Sequence, residues 1–113
     1  MATLYNTIER VASRREEAGV VVIDLLWDTT VSSAATNASE ERTINGPVRV
    51  ATDLDGYWVV EDIDLNTDIS PTENVYLVQE YSDDEVLEYY VTLTSNATFW
   101  LGDVTVSKPA WVE

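Results

Sequence analysis

Two of the side chains most used in catalysis and metal binding are missing: the 113 residues contain no histidine and no cysteine. Their absence removes the usual zinc sites, thiol nucleophiles and serine–histidine triads together. What remains is carboxylate chemistry, from 21 Asp and Glu residues. Glycoside cleavage needs two carboxylates at a set separation, one held protonated in a partly apolar cleft. In a chain this acidic, pairs arise by chance, and no pair stands out. The sequence reads as a non-enzyme with no cofactor.

One acidic stretch has the form of a cation loop. Asp53-Leu54-Asp55-Gly56, followed by Glu61, Asp62 and Asp64, alternates oxygen ligands ahead of a glycine, as hard cations prefer. The third ligand position and the terminal Glu of an EF-hand are missing, and no flanking helices are expected. A tight Asp-Gly turn is therefore the main reading, with a weak surface cation site at Asp53 and Asp55 as the alternative. Asn37-Ala38-Ser39 and Asn96-Ala97-Thr98 fit the glycosylation acceptor pattern, but most such triplets in a chain that is not exported stay unmodified.

The aromatic residues are the other candidates. Trp27, Trp58 and Trp100 fall in segments expected to be strands, where tryptophan more often packs than binds ligand. Tyr57 and Trp58, beside the Asp-Gly turn, are the candidate ligand-binding pair. Trp111 lies beyond the last expected strand. With Val112, and with Leu4 and Ile8 from the other terminus, it forms the candidate interface set, since tryptophan is enriched at association hot spots. A Trp111 folded back on its own domain is the equal rival.

Several elements would position these residues. Leu4, Ile8, Val11 and Ala12 recur at helical spacing between Thr3 and Gly19, with Asn6 and Glu9 placed as a capping box and Gly19 as a stop. That predicts a short N-terminal helix or arm over residues 1–19, with a strand ending in a charged turn as the rival. Val20–Thr29 is apolar on both alternating sets, the pattern of a central strand covered on both faces. Val31–Glu41 reads as a surface loop. Val48–Thr52 and Tyr57–Val60 read as a hairpin closed by the Asp-Gly turn, and Val75–Tyr81 with Val86–Thr94 as a second one. Phe99–Val106 is the last expected strand, interrupted at Gly102 by a bulge or a close approach, and residues 107–113 leave the sheet at Pro109. About seven short strands with regularly spaced turns indicate an all-β fold, an antiparallel Ig-like or prealbumin-like sandwich over residues 20–106.

Charge sets the surroundings. Six basic against 21 acidic residues give 6 − 21 = −15, and Lys108 is the only lysine. Such a surface repels phosphate backbones, so nucleic acid is not an expected partner. Four Trp and six Tyr argue for a folded chain rather than a disordered one. An acidic surface nearly free of lysine suits molar salt, which screens self-repulsion to within a few ångströms. No apolar run is long enough to span a bilayer, because Asp24 interrupts Val20–Trp27, and the N-terminus lacks the order of a signal peptide. Membrane insertion and export by that route are not expected.

From Ile44 to Val91, Gly46-Pro47 precedes a short strand and Asp53-Leu54-Asp55-Gly56-Tyr57-Trp58. Asn66-Thr67-Asp68-Ile69-Ser70-Pro71, Val75-Tyr76-Leu77-Val78-Gln79-Glu80 and Tyr89-Tyr90-Val91-Thr92-Leu93 follow in turn. This order resembles the small β-sandwich domains of tail-fibre and other surface structural proteins of tailed viruses. There an Asp-Gly-Tyr/Trp hairpin precedes an Asn-x-Asp-Ile-x-Pro turn and a Tyr-x-Val-x-Glu strand. Similar Asp-Gly-Tyr hairpins occur in prealbumin-like and Ig-like modules of cell-surface proteins. The resemblance covers under half the chain, and no long shaft follows it. It implies a short tail fibre, an appendage or a capsid-surface (decoration) component, self-associating and docked on other virion proteins. Joined to the acidity, it implies a virus of a halophilic archaeon, with the protein assembled into virions in the host cytoplasm. The alternative is an adhesion module for host attachment, binding surface glycans or protein through Tyr57 and Trp58.

Overall fold

A computed structural model describes residues 1–8, 19–37, 42–44, 46–53, 55–82 and 85–112. The chain runs through β1 (Ala2–Thr7), β2 (Val20–Trp27), β3 (Thr36–Asn37), β4 (Arg42–Thr43), β5 (Val48–Ala51), β6 (Tyr57–Ile63), β7 (Ile69–Ser70), β8 (Asn74–Ser82), β9 (Glu85–Val91), β10 (Thr98–Trp100) and β11 (Thr105–Val106). Single 3-10 turns occupy Asn66–Asp68 and Leu101–Asp103. β11, β9, β8, β2 and β5 form one sheet in that order, β10, β1 and β6 a second, and β4, β3 and β7 a small third.

The two larger sheets share one core and make the all-β sandwich that the sequence predicts. Leu4, Trp58 and Val60 on one side meet Val21, Ile23, Leu25, Val78 and Val91 on the other, all buried. Burying each such side chain is worth about 1.5–3 kcal/mol, and the period of two along β2 and β8 sends these residues inward. β2 is internal over its first half, antiparallel to β5 from Val20 to Ile23 and to β8 along its full length. β8 and β9 form the expected second hairpin, in register from Tyr76↔Val91 to Ser82↔Glu85. β1 pairs antiparallel with β6 and parallel with β10, so one ladder departs from an all-antiparallel sandwich.

Three expectations are corrected. The N-terminal residues form a strand in place of the expected helix, with Ala2 and Leu4 inward and Thr3 and Tyr5 partly exposed. The spacing of four between Leu4 and Ile8 fits a period of two as well as a helix, and pairing with β6 decides between them. Residues 2–8 therefore pack with the sandwich; Glu9, Val11 and Ala12 lie outside the described residues. β5 and β6 are not a hairpin: β5 joins β2 and β6 joins β1, so the Asp-Gly turn carries the chain from one sheet to the other. Only the mouth of the turn is laddered, through Asp53 N to Tyr57 O at 3.0 Å. The expected last strand is likewise split between the sheets, β10 lying beside β1 and β11 beside β9.

Gly56 and Gly102 each explain a turn. Gly56 has φ +88°, and a Cβ there would lie 2.6 Å from the Ile8 carbonyl oxygen. Its own carbonyl accepts from Ile8 N at 2.9 Å, which pins the end of β1 to the turn. At Gly102 the close approach is a side chain: the Trp100 ring lies over it, 2.4 Å from where a Cβ would stand.

Candidate functional site

Glu80 is the most deeply buried carboxylate among the described residues. It shares the inward face of β8 with Tyr76 and Val78 and is 1% exposed. Its Oε2 accepts from Trp58 Nε1 at 2.6 Å and from Asn6 Nδ2 at 2.9 Å. Asn6 Oδ1 in turn accepts from Trp100 Nε1 at 2.9 Å. Burial, and then the Glu80 charge, push the Tyr89 phenol above its ordinary value, with a hydrogen bond between the two side chains contributing. The hydrogen bonds tie β1, β6, β8 and β10 together through neutral donors around one carboxylate, with Tyr89 of β9 beside it. A cleft of about 250 Å³ opens on it, lined by Asn6, Thr7, Glu80, Leu87, Tyr89 and Trp100. Every bond named here joins one strand to another, and that is a structural role.

The candidate ligand pair separates. Trp58 is 1% exposed and committed to Glu80, so it is a core residue and not a ligand platform, because the alternation of β6 turns it inward. Tyr57 faces out at 42% exposure, its ring 6.4 Å from that of Tyr5 at a 40° tilt. Trp100, the register partner of Tyr5, is 47% exposed. Tyr57, Tyr5 and Trp100 thus replace Tyr57 and Trp58 as the aromatic surface.

The candidate interface set separates as well. Leu4 and Ile8 are buried in the chain's own core and have no surface to offer a neighbour, since their strand parity points them inward. Trp111 and Val112 are half-buried, and both line a cleft with Leu26, Trp27, Asp28, Thr29 and Thr30 at the end of β2. The tail turns there, with Val112 N donating to Pro109 O at 3.1 Å.

Asp53 spends its Oδ1 on the turn, accepting from Asp55 N at 2.9 Å and Tyr57 N at 3.0 Å. This is the Asx-turn role the residue types favour. Among the described residues no group of three or more acidic side chains is placed to hold a metal. Asn37, expected on a surface loop, is 3% exposed and donates to Asp64 Oδ1 at 3.0 Å, so folding shields that side chain; Asn96 is exposed.

What sequence reasoning missed is the outward face of the five-stranded sheet. Directly opposed residues share a face, and the register aligns Val106 with Tyr90 and Leu77, and Val86 with Tyr81 and Val20. Val86, Val106 and Tyr81 are 46%, 40% and 39% exposed, and Leu77, Tyr90 and Val20 are half-buried. Between these rows Gln79 Nε2 donates to Glu88 Oε2 at 2.7 Å. Only Asp24 and Glu88 are acidic among the outward residues of β2, β8 and β9, so the chain's negative charge lies elsewhere. The signal was present in β9, where both alternating sets are apolar.

Compared with models of protein families and with curated proteins, the sequence matches none. The fold defines an all-β sandwich, and its function has to be argued from the surfaces described above.

Proposed function

We infer that the protein is a non-enzymatic virion structural component, a short tail fibre, appendage or capsid-surface protein, which self-associates and docks on other virion proteins. The observation that carries this reading is the outward face of the five-stranded sheet. Val20, Leu77, Tyr81, Val86, Tyr90 and Val106 form apolar rows on a chain of net charge −15, and acids are sparse there. A second copy can cover such a face while the acidic remainder stays solvated. The resemblance of Ile44–Val91 to tail-fibre sandwiches supports the virion, and the near absence of lysine supports a salt-rich host.

The experiment is the absolute mass by light scattering, in molar salt and after dilution. A closed oligomer in salt that dissociates on dilution supports the reading; a monomer at both salt concentrations overturns self-association.

Exposed Tyr57 and Trp100, with the half-buried Tyr5, favour a second reading, an adhesion module for host-surface glycans. Binding to host cells that is lost with Tyr57→Ala would select it. Incorporation into particles without cell binding would count against it.

A further inference from the structure

β5 covers only half of β2. It pairs with Val20 to Ile23 and starts at Val48, because Pro47 has no N–H to extend the ladder and Gly46, at φ +43°, turns the chain. Asp24 to Trp27 continue to pair with β8, from Leu77 to Asn74, and no described residue pairs with them on the β5 side. Alternation fixes which groups are left open. Gly19 O accepts from Thr52 N on the β5 side, and Asp28 N donates to Glu73 O on the β8 side. Odd-numbered residues of β2 therefore address the β5 side, and Leu25 and Trp27 present their N–H and C=O groups to an edge that no described residue pairs.

A cleft of about 320 Å³ runs beside that edge, lined by Asp24, Leu25, Leu26, Trp27, Thr29, Ile44 and Gly46. Its apolar floor is continuous, through Leu25 and Ile44, with an adjoining opening edged by Glu61, Asp62 and Asp64. Asp24 is the acid at the edge itself. Burial pushes its carboxyl up, and a hydrogen bond from the Leu25 amide pulls it partly back.

We propose that the Asp24–Trp27 edge of β2 is a strand-addition site for an extended basic segment of a partner protein. The segment would place a Lys or Arg beside Asp24 and apolar residues against Leu25 and Ile44. Main-chain bonds to Leu25 and Trp27 supply affinity, and the acid selects the sequence. A second copy of this chain is a poorer occupant, because 21 acidic against six basic residues leave it few segments that could set a cation beside Asp24. This deepens the docking half of the reading above and rests on it.

The test titrates the whole protein with an acetylated, amidated peptide of alternating valine and threonine carrying one central lysine, and with its glutamate counterpart. Amide hydrogen exchange locates the bound peptide, and light scattering of the same samples gives the mass. The lysine peptide should protect the Leu25 and Trp27 amides and bind about tenfold more tightly than the glutamate peptide. Asp24→Asn should abolish that preference while protection persists. No binding, equal binding of both peptides, or protection elsewhere overturns the site. Leu25 and Trp27 amides already protected in an oligomer and open in the monomer would assign the edge to a second copy and overturn the basic partner. A monomer that still binds the lysine peptide at this edge would remove self-association and leave the site standing.

Discussion

Trp58 and Glu80 meet across the sandwich at 2.6 Å, indole N–H to carboxylate, and each is 1% exposed. A carboxylate so buried persists only when its oxygens are satisfied, and removing it strands the donors that satisfied it. Glu80→Ala leaves Trp58 Nε1 and Asn6 Nδ2 without their acceptor and should cost roughly 2–4 kcal/mol. Glu80→Gln keeps one acceptor oxygen and should cost less, about 1–2 kcal/mol. Urea unfolding in molar salt measures both. A Gln variant as unstable as the Ala variant would show that the negative charge, not acceptor geometry, holds the site.

The two left-handed glycines should respond differently to alanine. At Gly46 nothing lies within 4 Å of a new Cβ, so only backbone strain opposes it, about 1 kcal/mol. At Gly56 the same strain is joined by a Cβ 2.6 Å from the Ile8 carbonyl oxygen, a backbone atom that cannot swing aside. Gly56→Ala should cost about 2–3 kcal/mol. Thermal unfolding midpoints give the order directly, and equal losses would mean the end of β1 is not pinned to the turn.

Leu4→Ala separates a core residue from a contact residue. Leu4 is fully buried within one chain, so the change should destabilise the fold by about 2–5 kcal/mol whatever the mass of the assembly. Val86→Asp, on the outward face at 46% exposure, should leave folding nearly unchanged and lower the mass in molar salt. Circular dichroism together with light scattering reads both effects. A destabilised Val86→Asp of unaltered mass would exclude that face from assembly.

Much of the fold was legible because local pattern and global pairing agree. Val20–Thr29 reads as a central strand, which holds for Val20 to Ile23, and the 75–81 and 86–94 segments read as a hairpin, since turn chemistry and pairing coincide there. The reading failed where one local signal serves two arrangements. Leu4 and Ile8 fit both periods; pairing with Val60 makes Leu4 strand and core, and the Gly56 carbonyl holds Ile8 in the core just past the strand. The Asp-Gly turn closes tightly in either case, but whether its flanking strands pair with each other depends on β1 and β2, which lie far away in sequence. The candidate site was less legible. An acid at position 80 shares parity with Tyr76 and Val78, which could have marked it as buried, yet nothing local shows that Trp58 and Asn6 arrive to satisfy it.

The alkaline limb of stability should report on Tyr89. Burial, with the Glu80 and Glu85 charges and the Glu80 hydrogen bond behind it, raises its phenol above 10.0. In the unfolded chain the phenol titrates at about 10. Between those two values the folded state keeps a proton that the unfolded state has lost. Stability therefore falls as pH rises through this window, and the contribution is fully present only below it. Asp24 follows the same sign at acid pH: its raised carboxyl opposes the usual acid loss just above 3.8, and Asp24→Asn removes that effect. An absorbance titration of the six tyrosines should show a late-ionising phenol that disappears in Tyr89→Phe, with a flatter alkaline stability curve. If the upper end of the titration is unchanged in Tyr89→Phe, the phenol is not held by Glu80, and the link from β9 to the carboxylate would have to be redrawn.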